Sequence, residues 1–167
     1  MNETTRLYFR KFNLNDAKDM FNSWASDSDV TKFLTWNVHK NILETKQIIN
    51  MWLNEKDSIR FAIVLKENNE LIGSIDVVDM KDNVPEIGYV LAKKYWNHGY
   101  MKEALNAFVK HLFSLGYNEI FIKAMKENIA SNKVILANKF LFIKEEQFMY
   151  EKFNNKLITC NCYLLKK

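Results

Sequence analysis

The chain has 167 residues, of which 48% are hydrophobic, 14% aromatic and 26% charged, with four glycines and one proline. That is the composition of a folded globular protein and excludes a disordered or fibrous one. A net charge of +4 with scattered lysines falls short of a nucleic-acid footprint, yet suits a small polyanionic ligand. No stretch has the apolar core of a signal peptide or the length of a membrane span. The expected setting is therefore the cytoplasm, with no membrane or nucleic-acid partner.

In chain order, Leu7 to Phe12 alternates as a first strand, and Asn13 to Asp16 supplies capping residues for a helix to about Ala25. A short helical piece covers Ser28 to Leu34, and Thr35 to His39 is a loop. Asn41 or Thr45 starts the next helix, where Ile48, Ile49, Trp52 and Leu53 keep the three-four spacing of a buried face. From Arg60 the pattern turns to strands. Phe61 to Leu65 and Leu71 to Val78 make a hairpin around Glu67 to Glu70, and Asp82-Asn83 turns into a strand from Val84 to Leu91. Pro85 has no N–H to give, which places the start of that strand at a bulge or an unpaired edge.

A long amphipathic helix follows, with Met101, Ala104, Leu105, Phe108, Leu112 and Leu115 on its buried face and Gly116 as its stop. Glu119 to Ala124 is a strand, Asn128 to Asn138 a capped helix, and two final strands flank an Asn154-Asn155 turn. The result is one α/β domain, residues 1–167, with a largely antiparallel sheet and helices on both faces. Cys160 and Cys162 alternate in the last strand, which points both to one face as free thiols. No cluster of Cys, His and acids has metal-ligand spacing, so no metal is expected.

Chemistry concentrates in three places. Tyr95 to Lys102 joins a strand to a helix through Gly99, so main-chain N–H groups gather at a helix N-terminus suited to a phosphate. His98 and Lys102 can add donors there. Glu86 opens the preceding strand as Pro85-Glu86-Ile87-Gly88-Tyr89, and Gly88 invites a bulge or a closely approaching ligand. Asn128 to Asn132 offers a second capped helix start. With four glycines in all, neither a phosphate loop nor a dinucleotide fingerprint is possible.

Arg6-Leu7, Arg10-Lys11-Phe12, Val30 to Trp36, Leu71-Ile72-Gly73, Glu86-Ile87-Gly88-Tyr89, Tyr95 to Tyr100 and Asn128 to Val134 stand in the order and spacing of one family. The chain resembles the GNAT superfamily of acetyl-CoA-dependent N-acetyltransferases, in its ribosomal-protein-type (RimJ/RimL-like) branch. The resemblance implies a GNAT fold in which the strand ending at Leu91 splays from the strand of Ile120 to Ala124. Acetyl-CoA as co-substrate would then lie along Tyr89, Val90 and Leu91. Its pyrophosphate would sit on Asn97, His98, Gly99, Tyr100, Met101 and Lys102, and its thiol end near Asn128, Ser131 and Asn132.

The expected reaction moves an acetyl group to a primary amine, either a protein N-terminus or a small molecule. Glu86 is the candidate base, with a structural pairing to a lysine as its alternative. Trp24, Phe33, Trp36 and His39 are the expected acceptor side, where ordinary core packing is the competing explanation. Four positions depart from the family pattern. Asn97 stands where many relatives have a small residue, a mild change. Met101 stands where relatives have Gly or Ala. Ile135 stands where many have a tyrosine that protonates the thiolate, which leaves Ser131 as substitute. Lys139 stands where relatives have Gly, so a reshaped helix end is expected. The last three motivate the alternative of a non-catalytic acetyl-CoA sensor. The assembly is expected to be a monomer or a homodimer.

Overall fold

The computed structural model describes residue 1 and residues 3–167. Its elements are β1 (Leu7–Arg10), α1 (Asp16–Met20) continued by a π-helical turn (Phe21–Ala25), α2 (Ser28–Thr31), α3 (Ile42–Asn54), β2 (Arg60–Leu65), β3 (Leu71–Lys81) and β4 (Val84–Leu91). After a short 3-10 turn come α4 (Tyr100–Ser114), β5 (Glu119–Met125), α5 (Ile129–Ala137), β6 (Leu141–Tyr150) and β7 (Lys156–Lys166). Local chemistry sets most boundaries. Asp27 caps α2, Asn41 caps α3 and Asn128 caps α5, each side chain accepting from first-turn N–H groups. Before α1 the capping runs backwards: Asp16 accepts from the Asn13 N–H at 2.8 Å and holds Arg10 with both oxygens at 2.7 Å.

The sheet runs β1-β2-β3-β4-β5-β7-β6, antiparallel throughout except for β4 against β5. On β2, Ala62 to Leu65 are buried without a break, which requires cover on both faces of the sheet. α4 and α5 cover one face. Met101, Ala104, Leu105, Phe108, Val109 and Leu112 of α4 are buried, each of these except the alanine contributing about 1.5–3 kcal/mol of hydrophobic stabilisation. Leu115 does not join them. The helix ends at Ser114 and Leu115 is exposed, because the chain leaves the helical path at Gly116, where φ is 99°.

Two strand expectations gain a cause. The β3–β4 register shifts between Val77 and Asp79, so the extra residue Val78 stands opposite the Glu86–Ile87 step, while Pro85 itself pairs with Met80. Gly88 makes room for the bulged residue: a Cβ there would lie 2.4 Å from Cγ1 of Val78. Among the described residues eight non-glycine positions have positive φ, and seven of these are Asn or Asp, the types that tolerate this region best. The eighth is Lys139 at φ 67°. The end of α5 is thus not reshaped, because the lysine accepts the left-handed conformation in place of a glycine.

Candidate active site

β4 and β5 pair only at Glu86–Phe121 and Ile87–Ile122 and then part. The Ala92 N–H donates to the Ile72 carbonyl at 2.8 Å, and Val90 and Gly88 lie opposite Ser74 and Asp76 on the same register. Hydrogen-bonded pairs alternate along an antiparallel ladder. Residues 88 and 90 therefore face β3, while Tyr89 and Leu91 turn their main-chain groups into the gap. Of these, the Leu91 carbonyl already accepts from Nε1 of Trp96 at 2.8 Å. The Tyr89 N–H and C=O and the Leu91 N–H are the unpaired edge of a sheet, open to an extended ligand.

The turn into α4 is shaped by two left-handed residues, Asn97 at φ 63° and Gly99 at φ 76°. No side chain caps this helix, in contrast to α2, α3 and α5. Its first intrahelical bond is from Glu103 to Gly99 at 3.1 Å, so the N–H groups of Tyr100, Met101 and Lys102 point outward free. Arg6 fixes the turn from β1's side. It donates to the His98 carbonyl at 2.8 Å, pairs with Glu103 at 2.7 Å and lies 4.4 Å from the centre of the Tyr100 ring. His98 is exposed and stacks on Tyr100. The Met101 side chain is buried in the core and leaves the turn open.

A cavity of about 450 Å³ runs through the gap. Trp24, Phe33, Trp36 and His39 line it together with Glu86, Tyr89, Val90, Asn128 and Ser131, so residues far apart in sequence meet in one space. Glu86 is held by Lys123, whose Nζ lies 3.0 Å from each carboxylate oxygen and 4.4 Å from the centre of the Phe148 ring. Beside it, Asp76 pairs with Nε of Arg60 at 2.8 Å, while Nη1 of Arg60 holds Glu55 at 2.7 Å. Burial raises the pKa of Asp76 and Arg60 opposes that shift. His39 is buried with Nδ1 2.8 Å from the Thr45 hydroxyl, and burial lowers its pKa, keeping it neutral. On the other side of β4, the Tyr89 phenol lies 2.7 Å from the Ser131 hydroxyl.

Asn132 belongs to the scaffold. Its Nδ2 donates to the Met125 and Asn128 carbonyls, and its Oδ1 accepts from Tyr163 and Asn161. All its hydrogen-bonding positions are filled by protein, unlike those of Ser131 and Asn128 nearby. Cys160 and Cys162 are free and buried, and burial raises both thiol pKa values. Among the described residues no group of three or more His, Cys, Asp or Glu is placed to hold a metal, and no helix is long and apolar enough to cross a membrane. Sequence reasoning named Arg6 only within a matching stretch and the lysine partner of Glu86, here Lys123, only by type; it missed Arg60, Asp76 and the Tyr89 hydroxyl. Their roles come from pairings between distant strands and helices, which leave no local pattern.

The family model described as "Acetyltransferase (GNAT) domain" matches residues 6–140. The chain belongs to the GNAT family of acetyltransferases. Among the relatives, an uncharacterized N-acetyltransferase, p20, of Bacillus licheniformis is 33% identical over 98% of this chain and 94% of its own length. The crystal structure of a GNAT-family acetyltransferase from Bacillus anthracis superposes with a TM-score of 0.87 at 25% identity, covering 98% of this chain and 96% of that one. The RimL ribosomal L7/L12 α-N-protein acetyltransferase, solved with coenzyme A, superposes with a TM-score of 0.84 at 20% identity over 99% and 96% of the two chains. As a member of the GNAT family, the chain is an acetyl-CoA-dependent acyltransferase. At the position of the helical tyrosine, Ile135 is wholly buried and has no part in the gap.

Proposed function

We propose that this GNAT protein transfers the acetyl group of acetyl-CoA to a primary amine, a protein N-terminus or a small molecule, as a RimJ/RimL-like enzyme. The carrying observation is the parting of β4 from β5 after Ile87, in line with an uncapped helix start at α4. Acetyl-CoA supplies an activated thioester, together with amides and a pyrophosphate by which it can be held. The Tyr89 and Leu91 main-chain groups take the amides as an added strand would. The N–H groups of Tyr100, Met101 and Lys102 take the pyrophosphate.

Glu86 removes the amine's proton, directly or through a water, since an ammonium has no lone pair with which to attack. Lys123 holds both oxygens of that carboxylate, orienting it and demanding that the pair loosen when the proton arrives. The Tyr89 N–H faces the gap and donates to the oxygen on which negative charge develops. Ser131 returns a proton to the leaving sulfur. Trp24, Phe33, Trp36 and His39 line the same cavity as Glu86, which supports their role as the acceptor side.

The test is an acceptor panel of free-N-terminal peptides, amino acids, polyamines and aminoglycosides. Free thiol is followed over time and the acetylated product is identified by mass. Thiol release with one amine well above the hydrolytic background supports the reading. Cofactor binding without turnover across the whole panel would favour a sensor.

A further inference from the structure

The chemistry of amine acetylation needs a proton removed on one side of the thioester and a proton delivered on the other. The new N–C bond forms as the C–S bond breaks, and the electron pair of that bond stays on sulfur. Side chains alternate between the two faces of a strand, so Glu86 and Tyr89, three residues apart, lie on opposite faces of β4. Both line the one cavity because β5 has left β4 by that point. Glu86 meets Lys123 from β5, and Tyr89 meets Ser131 from α5.

We propose that Tyr89 is the positioning residue for the proton delivered to the sulfur, acting through the hydroxyl of Ser131; this rests on the acetyl-transfer reading above. The phenol lies 2.7 Å from Oγ of Ser131 and 3.3 Å from its carbonyl oxygen. With the phenol as donor in the shorter contact, the serine's own hydrogen turns away from Tyr89 and into the gap. The rest of the serine is fixed, its N–H donating to Oδ1 of Asn128 at 3.1 Å. Burial pushes the phenol's pKa up, so it stays protonated and remains a donor. As Ser131 gives its proton to the thiolate, Tyr89 stabilises the charge left on Oγ, and solvent later restores the proton.

A structural role for Tyr89 would be packing alone, and Tyr89→Phe preserves the ring. Bound coenzyme A gives a readout that needs no acceptor amine: the pKa of its thiol, followed by the NMR shift of the carbon beside sulfur. A hydrogen-bond donor at the sulfur favours the thiolate and lowers that pKa. In the wild type it lies below that of free coenzyme A; in Ser131→Ala and in Tyr89→Phe it moves back up, with binding retained. With an active amine, Tyr89→Phe lowers kcat about tenfold or more, the effect of losing one hydrogen bond to a developing charge. The double variant is no slower than Ser131→Ala, because Tyr89 acts only through the serine. With the selenoester analogue of acetyl-CoA, whose selenolate leaves without a proton, the loss in Tyr89→Phe shrinks.

An unchanged thiol pKa in Tyr89→Phe overturns the proposal, as does an equal loss with thioester and selenoester. Multiplying effects in the double variant also overturn it, since they mean independent action. Failure of the wild type to bind coenzyme A removes the acetyl-transfer reading itself, and the proposal with it. That outcome is distinct from normal binding with an unmoved pKa.

Discussion

The two helices that follow β4 and β5, α4 and α5, start in contrary ways. The first turn of α4 has no side-chain cap and is preceded by Gly99 at φ 76°, so its main-chain donors are left free. That of α5 is capped by Asn128, which accepts from the Ser131 N–H, so its donors are partly taken up and a hydroxyl is presented beside them. One start leaves its donors open, as an anion would need, and the other holds a side chain still. Changes at α4 should therefore alter affinity, and changes beside α5 and along β4 should alter turnover.

The largest expected effect tests the turnover half. Glu86→Gln should lower kcat by roughly 10²- to 10⁴-fold, the contribution of a general base, with acetyl-CoA affinity nearly intact. Because Lys123 loses its charged partner, the melting temperature should fall as well. Glu86→Gln with Lys123→Met should recover the melting temperature without recovering kcat, which separates the two roles of the carboxylate. A folded glutamine variant with near-normal turnover across pH would leave Glu86 as a purely structural partner.

Next in size is the affinity half. Gly99→Val forces a β-branched residue into the left-handed region, costing about 1–2 kcal/mol by backbone strain alone. The Cβ would also come 3.5 Å from the Arg6 guanidinium that secures the turn. The thermal shift given by acetyl-CoA should shrink, with affinity down at least about tenfold and kcat at saturation close to normal. Undiminished binding, measured by calorimetry, would place the pyrophosphate elsewhere.

The same contrast explains what could be seen in the sequence. The α4 start is local: a strand, a turn with Asn97 and Gly99, and an amphipathic helix, all within a few residues. The frame of strands and helices follows from the same short-range signals, down to β4 at Val84–Leu91. The chemistry of the gap is not local. Lys123 stands 37 residues from Glu86, and Ser131 stands 42 from Tyr89, and neither pairing has a periodic signature. Leu115 failed for a related reason. The three-four rhythm continues through it, but the backbone turns out of the helix first. Lys139 shows the limit of propensity, since the tertiary position of buried Phe140 outweighs a local preference.

A smaller effect belongs to two histidines. The folded-state pKa of His39 lies below its ordinary value because burial disfavours the imidazolium, and that of His111 is lowered for the same reason. In such a case the unfolded chain binds protons more readily, so stability is intact above the unfolded pKa of about 6.5 and is lost as pH falls below it. The loss should level off once the folded-state pKa is passed. Melting temperatures measured from about pH 8 down to about pH 5 should fall in the wild type. His39→Gln and His111→Gln should each remove part of that slope. A slope unchanged in both variants would assign it to the carboxylates.

The smallest prediction compares the other ends of the two helices. α4 stops at Gly116 with φ 99°, and α5 at Lys139 with φ 67°. The amide of each donates back into the last turn, Gly116 to Phe113 at 3.2 Å and Lys139 to Leu136 at 3.0 Å. The two stops thus do one job, one with the residue suited to it and one without. An L side chain in this conformation costs about 1–2 kcal/mol, and glycine gives back about 0.5–1 kcal/mol through its greater freedom in the unfolded chain. Lys139→Gly should therefore stabilise by up to about 1 kcal/mol, or about 2–4 °C in the melting temperature. Nothing lies within 4 Å of a Cβ built on Gly116, so Gly116→Ala tests backbone strain without a clash and should lower the melting temperature by a similar amount. Lys139→Ala keeps the strain while removing the charged chain, and should change little. Equal stabilisation by Ala and Gly at position 139 would trace the cost to the lysine side chain and not to φ.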